Sequence, residues 1–465
     1  MAKTALVLAG GAARGAYELG VWRGLRQLGI PIHMVTGTSI GAVNGALIAQ
    51  EDFDSAQQFW RTLEFNKLFK LRSHADESRP KRIRSSYLQL SKNFITEGGS
   101  DVRLLLGSLK PYLNEEKIRR SPVEFGLVTV SVDEKKVCEY FREDIPDGRM
   151  LDYIFASCSV GPAFKPYVID GKRYVDGCYY DNLPVSMAIA KGADHVIAVD
   201  LDAFGVVRRK DLRAARSLTL IRSHWDLGPS FFFDGAQFKR NDQLGYLDAL
   251  KAFQHYDGQA YAFAAGSADA LKKEFLSENR KLPFMQFSEN RFLFLKDRRA
   301  SRRLLHHLQK RLINKTDIRH LLLVWAENAG EIFELDPLHV YDQEEFNQRL
   351  LEQFEDSPSL ELPGHTELPG LPGIQSALSG TGVSGFAALR LQLALYKASI
   401  KEMFTKETSR RVGRRSATKY LVDVFRAHTH EDRLPMLSNL AALMPSEVLG
   451  ALYILWLQDY REKPV

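Results

Sequence analysis

Cysteine is scarce in this chain: three in 465 residues, Cys138, Cys158 and Cys178, with no C-x-x-C pair. That scarcity excludes a disulfide-stapled fold and a cysteine-based zinc site, and it fits a reducing compartment. No apolar run reaches bilayer-spanning length. The longest near the end, Val448–Leu457, is about half of what a membrane helix needs. No signal-peptide pattern precedes the first motif, so a cytoplasmic or membrane-peripheral location is expected. There is also little excess of either charge. Sixty-three basic residues face 57 acidic ones, a net charge of +6, which argues against a dedicated nucleic-acid binder. Repeats and heptads are absent.

Basic residues do cluster locally. Lys67, Lys70, Arg72, Arg79, Lys81, Arg82 and Arg84 form one group; Arg208, Arg209, Lys210, Arg213 and Arg216 form another. Such groups are either solvated faces or contacts for anionic headgroups. The segment from about 60 to 115 mixes basic residues with Phe65, Leu68, Phe69, Leu71, Tyr87, Leu88, Leu90 and Phe94. It reads equally as a packed helical cap or a lipid-facing lid.

An apolar content of 45% supports well-filled cores. Through residue 205, strand patterns (Ala5–Ala9, His33–Thr36, Phe125–Val132, Cys138–Phe141, Lys172–Val175, His195–Leu201) alternate with helical ones. The helical patterns are Ala13–Gln27, Ala42–Gln50, Ser55–Thr62, Val102–Tyr112, Met150–Ser157 and Val185–Lys191. This alternation predicts a layered α/β fold with a mainly parallel sheet. Residues 206–360 read as mostly helical, with one strand at Leu321–Trp325. A Pro/Gly-rich stretch at 361–375 reads as a linker. The remainder, 376–465, reads as a helical extension built on Gly385–Phe404 and Leu437–Tyr460.

Two glycine-rich turns carry the chemistry. Gly37-Thr38-Ser39-Ile40-Gly41 has the form of a nucleophile elbow, a serine at a tight strand-to-helix turn. Gly10-Gly11-Ala12-Ala13-Arg14-Gly15 puts backbone N–H groups at a helix start, where negative charge is favoured. A dinucleotide fingerprint would need glycine at position 12 and an acidic residue where Ser39 stands; a phosphate loop would need Gly-Lys-Ser/Thr. An anion hole beside a serine survives both comparisons. The serine needs a base. His195 and His224 lack a catalytic context, whereas Asp176, at a strand end before Gly177, places a carboxylate at the sheet edge where the elbow also lies. Asp152, Asp170, Asp181 and Asp200 read as turn or strand-end residues, with Asp181 the one nearest to Asp176. His428-Thr429-His430-Glu431-Asp432 lacks the spacing of a helical zinc pair, so no metal or other cofactor is expected.

With these residues the chain resembles the patatin-like phospholipases, lipid acyl hydrolases with a Ser–Asp dyad. The resemblance rests on the two turns, on Asp176-Gly177, on Ala156-Ser157 followed by Pro162, Phe164 and Pro166, and on Asp181-Asn182-Leu183-Pro184-Val185. It is specific to about residue 202 and does not reach the tail. It implies a three-layer α/β/α fold with a C-terminal helical extension and a catalytic core over 1–205. The 206–360 segment would then be a continuation packed on that core. By the resemblance, Ser39 and Asp176 are catalytic, and Gly10, Gly11 and Ala12 form the oxyanion hole. Gly15, Gly37, Gly41 and Gly177 support the turns, while Arg14 either adds positive potential or anchors its loop. Two departures stand out: Ala12 where the family has a third glycine, and Cys178 where it has Gly or Ala. The implied partner is a lipid acyl ester met at a membrane surface; oligomeric state is left open. The alternatives are an acyltransferase or transacylase with the same dyad, or a lipid-binding scaffold.

Overall fold

The computed structural model describes residues 2–63, 99–103, 107–161, 163–276, 285–288, 291–294, 298–311, 318–358, 407–427 and 440–461, with single positions among 81–96 and at 437. The chain divides into two compact units, Met1–Tyr256 and Asp257–Val465.

The first unit is built on an eight-stranded sheet. Its strands are β1 (Thr4–Leu8), β2 (Met34–Thr38), β3 (Glu124–Ser131), β4 (Lys136–Phe141), β5 (Tyr167–Ile169), β6 (Lys172–Asp176), β7 (His195–Asp200) and β8 (Leu218–Arg222). They lie in the order β5-β6-β3-β2-β1-β7-β8, with β4 paired to β3. From β3 through β2, β1 and β7 to β8 all pairings are parallel; β4, β5 and β6 join antiparallel. The middle strands are apolar runs because helices cover both faces. Ala5, Leu6, Val7 and Leu8 are fully buried. This is the expected three-layer α/β/α arrangement with a mainly parallel sheet.

Helix α1 (Ala16–Gln27) returns the chain from β1 to β2, and α2 (Ile40–Ala49) leaves β2 directly. A third helix, α3 (Phe53–Thr62), follows, started by Asp52, whose side chain accepts from the Ser55 N–H. The unit does not stop at residue 205. β8 extends the sheet, and the helix Gly235–Ala252 packs on α1 through glycines. A Cβ on Gly20 would stand 1.9 Å from the Asp242 carbonyl oxygen, and one on Gly245 2.0 Å from that of Tyr17. Only glycine permits so close a crossing. Sequence periodicity did not reveal β8, whose mixed burial gives no clean alternation.

The described part of the second unit is mostly helical, with two small sheets. β9 (Ala262–Phe263) pairs parallel with β12 (Val340–Tyr341), and β10 (Met285–Ser288) pairs antiparallel with β11 (Arg291–Phe294). The expected strand Leu321–Trp325 is instead the middle of the helix Ile318–Ile332. A helix buried all round loses its polar stripe, so a short apolar run cannot distinguish it from a buried strand. Trp325 anchors this unit: its indole N–H donates to the Leu449 carbonyl at 2.8 Å, and its ring packs edge-on against Tyr453. The tail contains the helices Glu407–Ala427 and Pro445–Arg461. The 361–375 linker, Gly385–Phe404, His428–Asp432, Pro162 and nearly all of the 64–98 basic and aromatic stretch lie outside the described residues.

Candidate active site

Strand register brings the two central residues together. β2 runs parallel to β3 and ends with Thr38 opposite Val128. β6 runs antiparallel and ends with Asp176 opposite Thr129. β4 pairs with β3 from Gly126 to Ser131 and so occupies the other edge. β2 and β6 therefore share one edge and meet end to end, and Ser39 is the next residue after Thr38. Gly177 marks the junction: a Cβ there would lie 2.5 Å from the Val128 carbonyl oxygen and 3.0 Å from Thr38 Cγ2.

Ser39 sits at φ 58°, ψ −124°, a conformation non-glycine residues rarely adopt, immediately before α2. The turn is held from behind. The Ser39 N–H donates to Ser157 Oγ at 2.9 Å, and the Ser157 hydroxyl donates to the Val128 carbonyl at 2.7 Å. Both flanking glycines are sterically required. A Cβ on Gly37 would lie 2.2 Å from the Gly41 carbonyl oxygen, and one on Gly41 2.5 Å from that of Leu8.

Asp176 is 1% exposed. Its Oδ1 accepts from the Cys178 N–H at 2.8 Å, while Oδ2, also buried, has no hydrogen-bond partner among the described residues. Burial pushes its pKa up to about 6, opposed by the Cys178 N–H and by the Ser39 hydroxyl. The serine is thus near enough to act on the carboxyl, though no bond of ordinary geometry yet joins them. Cys158 and Cys178 are buried beside this pair, and burial pushes both thiols up, the opposite of nucleophile activation.

The first glycine turn faces the same place. Gly10 is clasped by Asn182: its N–H donates to the Asn182 carbonyl at 3.1 Å, and the Asn182 amide donates to the Gly10 carbonyl at 3.1 Å. The Gly10 N–H is therefore spent, which removes it from the expected set of donors. Ala13 N–H donates to Ser230 O at 2.8 Å. Among the described residues the N–H groups of Gly11 and Ala12 have no acceptor. Ala12 takes φ 50°. Gly10, Gly11 and Ala12 line a cavity of about 210 Å³ together with Ser39, Asp176 and Cys178. Val160, Phe204 and Phe231 supply much of its apolar wall.

Arg14 anchors. Its Nε donates to Gly228 O at 2.8 Å and its NH1 group to Leu201 O at 3.2 Å and to Asp202 O. An ion pair to Asp226 at 3.7 Å completes the tie between three loops. Of the two roles open at the sequence level, the contacts favour anchoring. Gly15 is needed for packing, because a Cβ would lie 2.6 Å from Ile40 Cγ1.

The other sequence candidates lie elsewhere. His195 starts β7, at the opposite end of the sheet, with its ring between Ser217 and Thr219. Asp152 binds Tyr167 and Arg149; Asp170 binds Arg149; Asp200 accepts from the Asp202 N–H. Asp181 is buried with its carboxyl on the Leu183 N–H and Ser186 Oγ, and burial pushes its pKa up to about 7. Sequence reasoning assigned no role to Ser157, Asn182 or the network behind the elbow. There Asn44 donates to Gly15 O and Glu18 Oε2 and accepts from the Trp60 indole. Glu18 is fully buried, and burial raises its pKa strongly. Nothing in a lone Glu on an amphipathic helix announces that.

A serine on a strained elbow, a buried carboxyl with one open oxygen and two unengaged N–H groups at one cavity can together perform acyl transfer.

Comparison with known proteins bears on the family. Residues 6–189 match the family model described as patatin-like phospholipase. The chain is 34% identical over 197 residues to lysophospholipase NTE1 of Mycosarcoma maydis, covering 42% of this chain and 9% of the relative. It is 31% identical over 254 residues to lysophospholipase NTE1 of Candida glabrata, covering 54% of this chain and 13% of the relative. The matched part is thus a small fraction of these curated relatives. Among solved structures, VipD of Legionella pneumophila aligns over 100% of this chain and 92% of its own, at 13% identity and a TM-score of 0.33.

Proposed function

Residues 6–189 of this chain belong to the patatin-like phospholipase family, and from that premise we propose that the protein is a serine lipid acyl hydrolase. It cleaves lysophospholipid, phospholipid or related acyl esters through Ser39 and Asp176, at a membrane surface. One observation carries the reading: Asp176 Oδ2 is a buried acceptor without a partner, beside a serine held at positive φ. No helix among the described residues is long and apolar enough to cross a membrane.

The steps follow from the atoms available. Ser39 Oγ attacks the ester carbonyl carbon as its proton passes to Asp176 Oδ2. The carbonyl oxygen becomes an oxyanion bound by the Gly11 and Ala12 N–H groups. Collapse breaks the ester bond, and the leaving alcohol takes the proton from Asp176, leaving the acyl group on Ser39. Water then attacks that acyl group and gives its proton to Asp176. The second collapse releases the fatty acid and returns the proton to Ser39. A carboxylate is a weak base in water; burial raises its basicity, and an acyl chain filling the cavity keeps it dry.

Lysophosphatidylcholine is the first substrate to test, with released fatty acid measured by mass spectrometry. The wild type is expected to release it, and Ser39→Ala and Asp176→Asn are expected to fall about a hundredfold or more. Full activity in a folded Asp176→Asn protein would defeat the dyad.

A further inference from the structure

The mouth of the cavity exposes large apolar side chains on backbone too firmly held to let them collapse. Phe204 lines the cavity and is 74% exposed; Val206, Tyr179 and Tyr180 are 49%, 42% and 39% exposed. They lie on two segments that are bonded to each other. The Tyr179 and Phe204 rings meet edge-on with centroids 6.2 Å apart. Val206 is clipped to the segment after Asp176: its N–H donates to Cys178 O at 2.9 Å, and its carbonyl accepts from the Asn182 N–H at 2.7 Å. Gly205, at φ 146°, lets the loop pass Asn182, where a Cβ would come within 2.7 Å of that residue's Cβ. Arg14 fixes the start of the loop through Leu201 O and Asp202 O. The Tyr179 hydroxyl donates to Gly161 O at 2.8 Å, and Gly161 also lines the cavity. A single exposed Phe needs no explanation, but a fixed apolar rim around a cavity does.

The charge beside this rim is positive and partly unpaired. Arg208 lies over the Tyr180 ring at 5.1 Å and is engaged by Asp211 at 3.0 Å. Arg209, Lys210 and Arg213, on the short helix that follows, are exposed and have no acidic partner among the described residues. Of the exposed acids nearby, Asp202 is paired with Arg222, and Glu139 interacts with Arg208.

We propose that Phe204, Val206, Tyr179 and Tyr180, flanked by Arg209, Lys210 and Arg213, form the face that seats the cavity mouth on an anionic lipid surface. The proposal rests on reading the cavity as an acyl-ester site. It adds which surface meets the bilayer and which headgroup charge that surface selects. Apolar side chains enter the acyl boundary, tyrosine hydroxyls stay at the headgroup level, and the cations meet phosphate and carboxylate groups. A free headgroup would satisfy the cations but leave the apolar rim unexplained.

The test reads binding without turnover. The full chain carrying Ser39→Ala is sedimented with phosphatidylcholine vesicles containing phosphatidylserine, and with pure phosphatidylcholine vesicles. The parent is expected to bind the anionic vesicles more tightly. Adding Phe204→Ser with Val206→Ser should weaken partition on both vesicle types, at least about tenfold on the anionic ones. Adding Arg209→Ser, Lys210→Ser and Arg213→Ser instead should cost about a hundredfold on anionic vesicles, since each basic residue near such a surface is worth about fivefold. It should change little on neutral ones. Thermal melting matching the parent's establishes that each set folds. Unchanged anionic binding by both variant sets would overturn the proposal. Hydrolysis of a monomeric short-chain ester by the wild type tests the dyad separately, so either reading can fail alone.

Discussion

Thr38 and Asp176 lie opposite consecutive residues, Val128 and Thr129, on one edge of β3. The encounter between the proposed nucleophile, Ser39, and its proposed base, Asp176, is therefore set by sheet register rather than by a flexible loop. A one-residue slip of either strand would turn its side chains to the other face. Ser157 fills the gap between the two strand ends, bonded to both the elbow and Val128.

Acid should silence the proposed ester hydrolysis with a midpoint near the Asp176 value. Its pKa of about 6 means that the base form is lost as pH falls through that point. The acid limb of kcat/KM on a monomeric ester should have its midpoint near 6. Asp181→Asn should leave that midpoint in place, although Asp181 is itself pushed up to about 7, because its carboxyl serves Leu183 and Ser186.

Removing the Asp176 charge should stabilise the fold at neutral pH. The folded protein holds this proton more tightly than the unfolded chain, whose ordinary value is 3.8. Stability from that preference is full below about pH 4 and lost as pH rises through about 6. Two pKa units correspond to about 3 kcal/mol. Asp176→Asn still offers an acceptor to the Cys178 N–H, so urea unfolding above about pH 7 should show a gain of up to about 3 kcal/mol. The two proteins should converge near about pH 4. A variant less stable than the parent at neutral pH would contradict this assignment.

Ser157→Ala should strand the Ser39 N–H in the interior and deprive the Val128 carbonyl of its hydroxyl donor. The expected loss is about 1–3 kcal/mol of stability. Because the elbow loses its hold, kcat should fall more than KM changes. Denaturant titration with steady-state kinetics checks both.

Arg14→Lys should behave as a deletion despite keeping the charge. The guanidinium reaches Gly228 O and Leu201 O from separate nitrogens, a geometry a single ammonium cannot copy. Stability should fall by about 1–3 kcal/mol, and the Phe204 loop should become more open to limited proteolysis.

Much of the first unit was legible because its signals are local. Apolar runs at β1 and β2, the glycine pairs around Ser39 and the Asp176-Gly177 strand end each state their conformation in a few adjacent residues. What was hidden depends on distant partners. The Gly10 N–H is removed as a donor by Asn182, 172 positions away. Glu18 looks like surface charge until Asn44 and Trp60 enclose it. The buried Leu321–Trp325 helix carries no period that separates it from a strand. Phe204 reads as an ordinary apolar residue; only the pinned loop reveals it as an exposed rim.

The most direct test of the dyad is reaction with a fluorophosphonate, followed by intact-mass analysis and peptide mapping. One adduct on Ser39 is predicted, absent in Ser39→Ala and much slower to form in Asp176→Asn. An adduct on another residue, or undiminished labelling without the Asp176 carboxylate, would contradict the account.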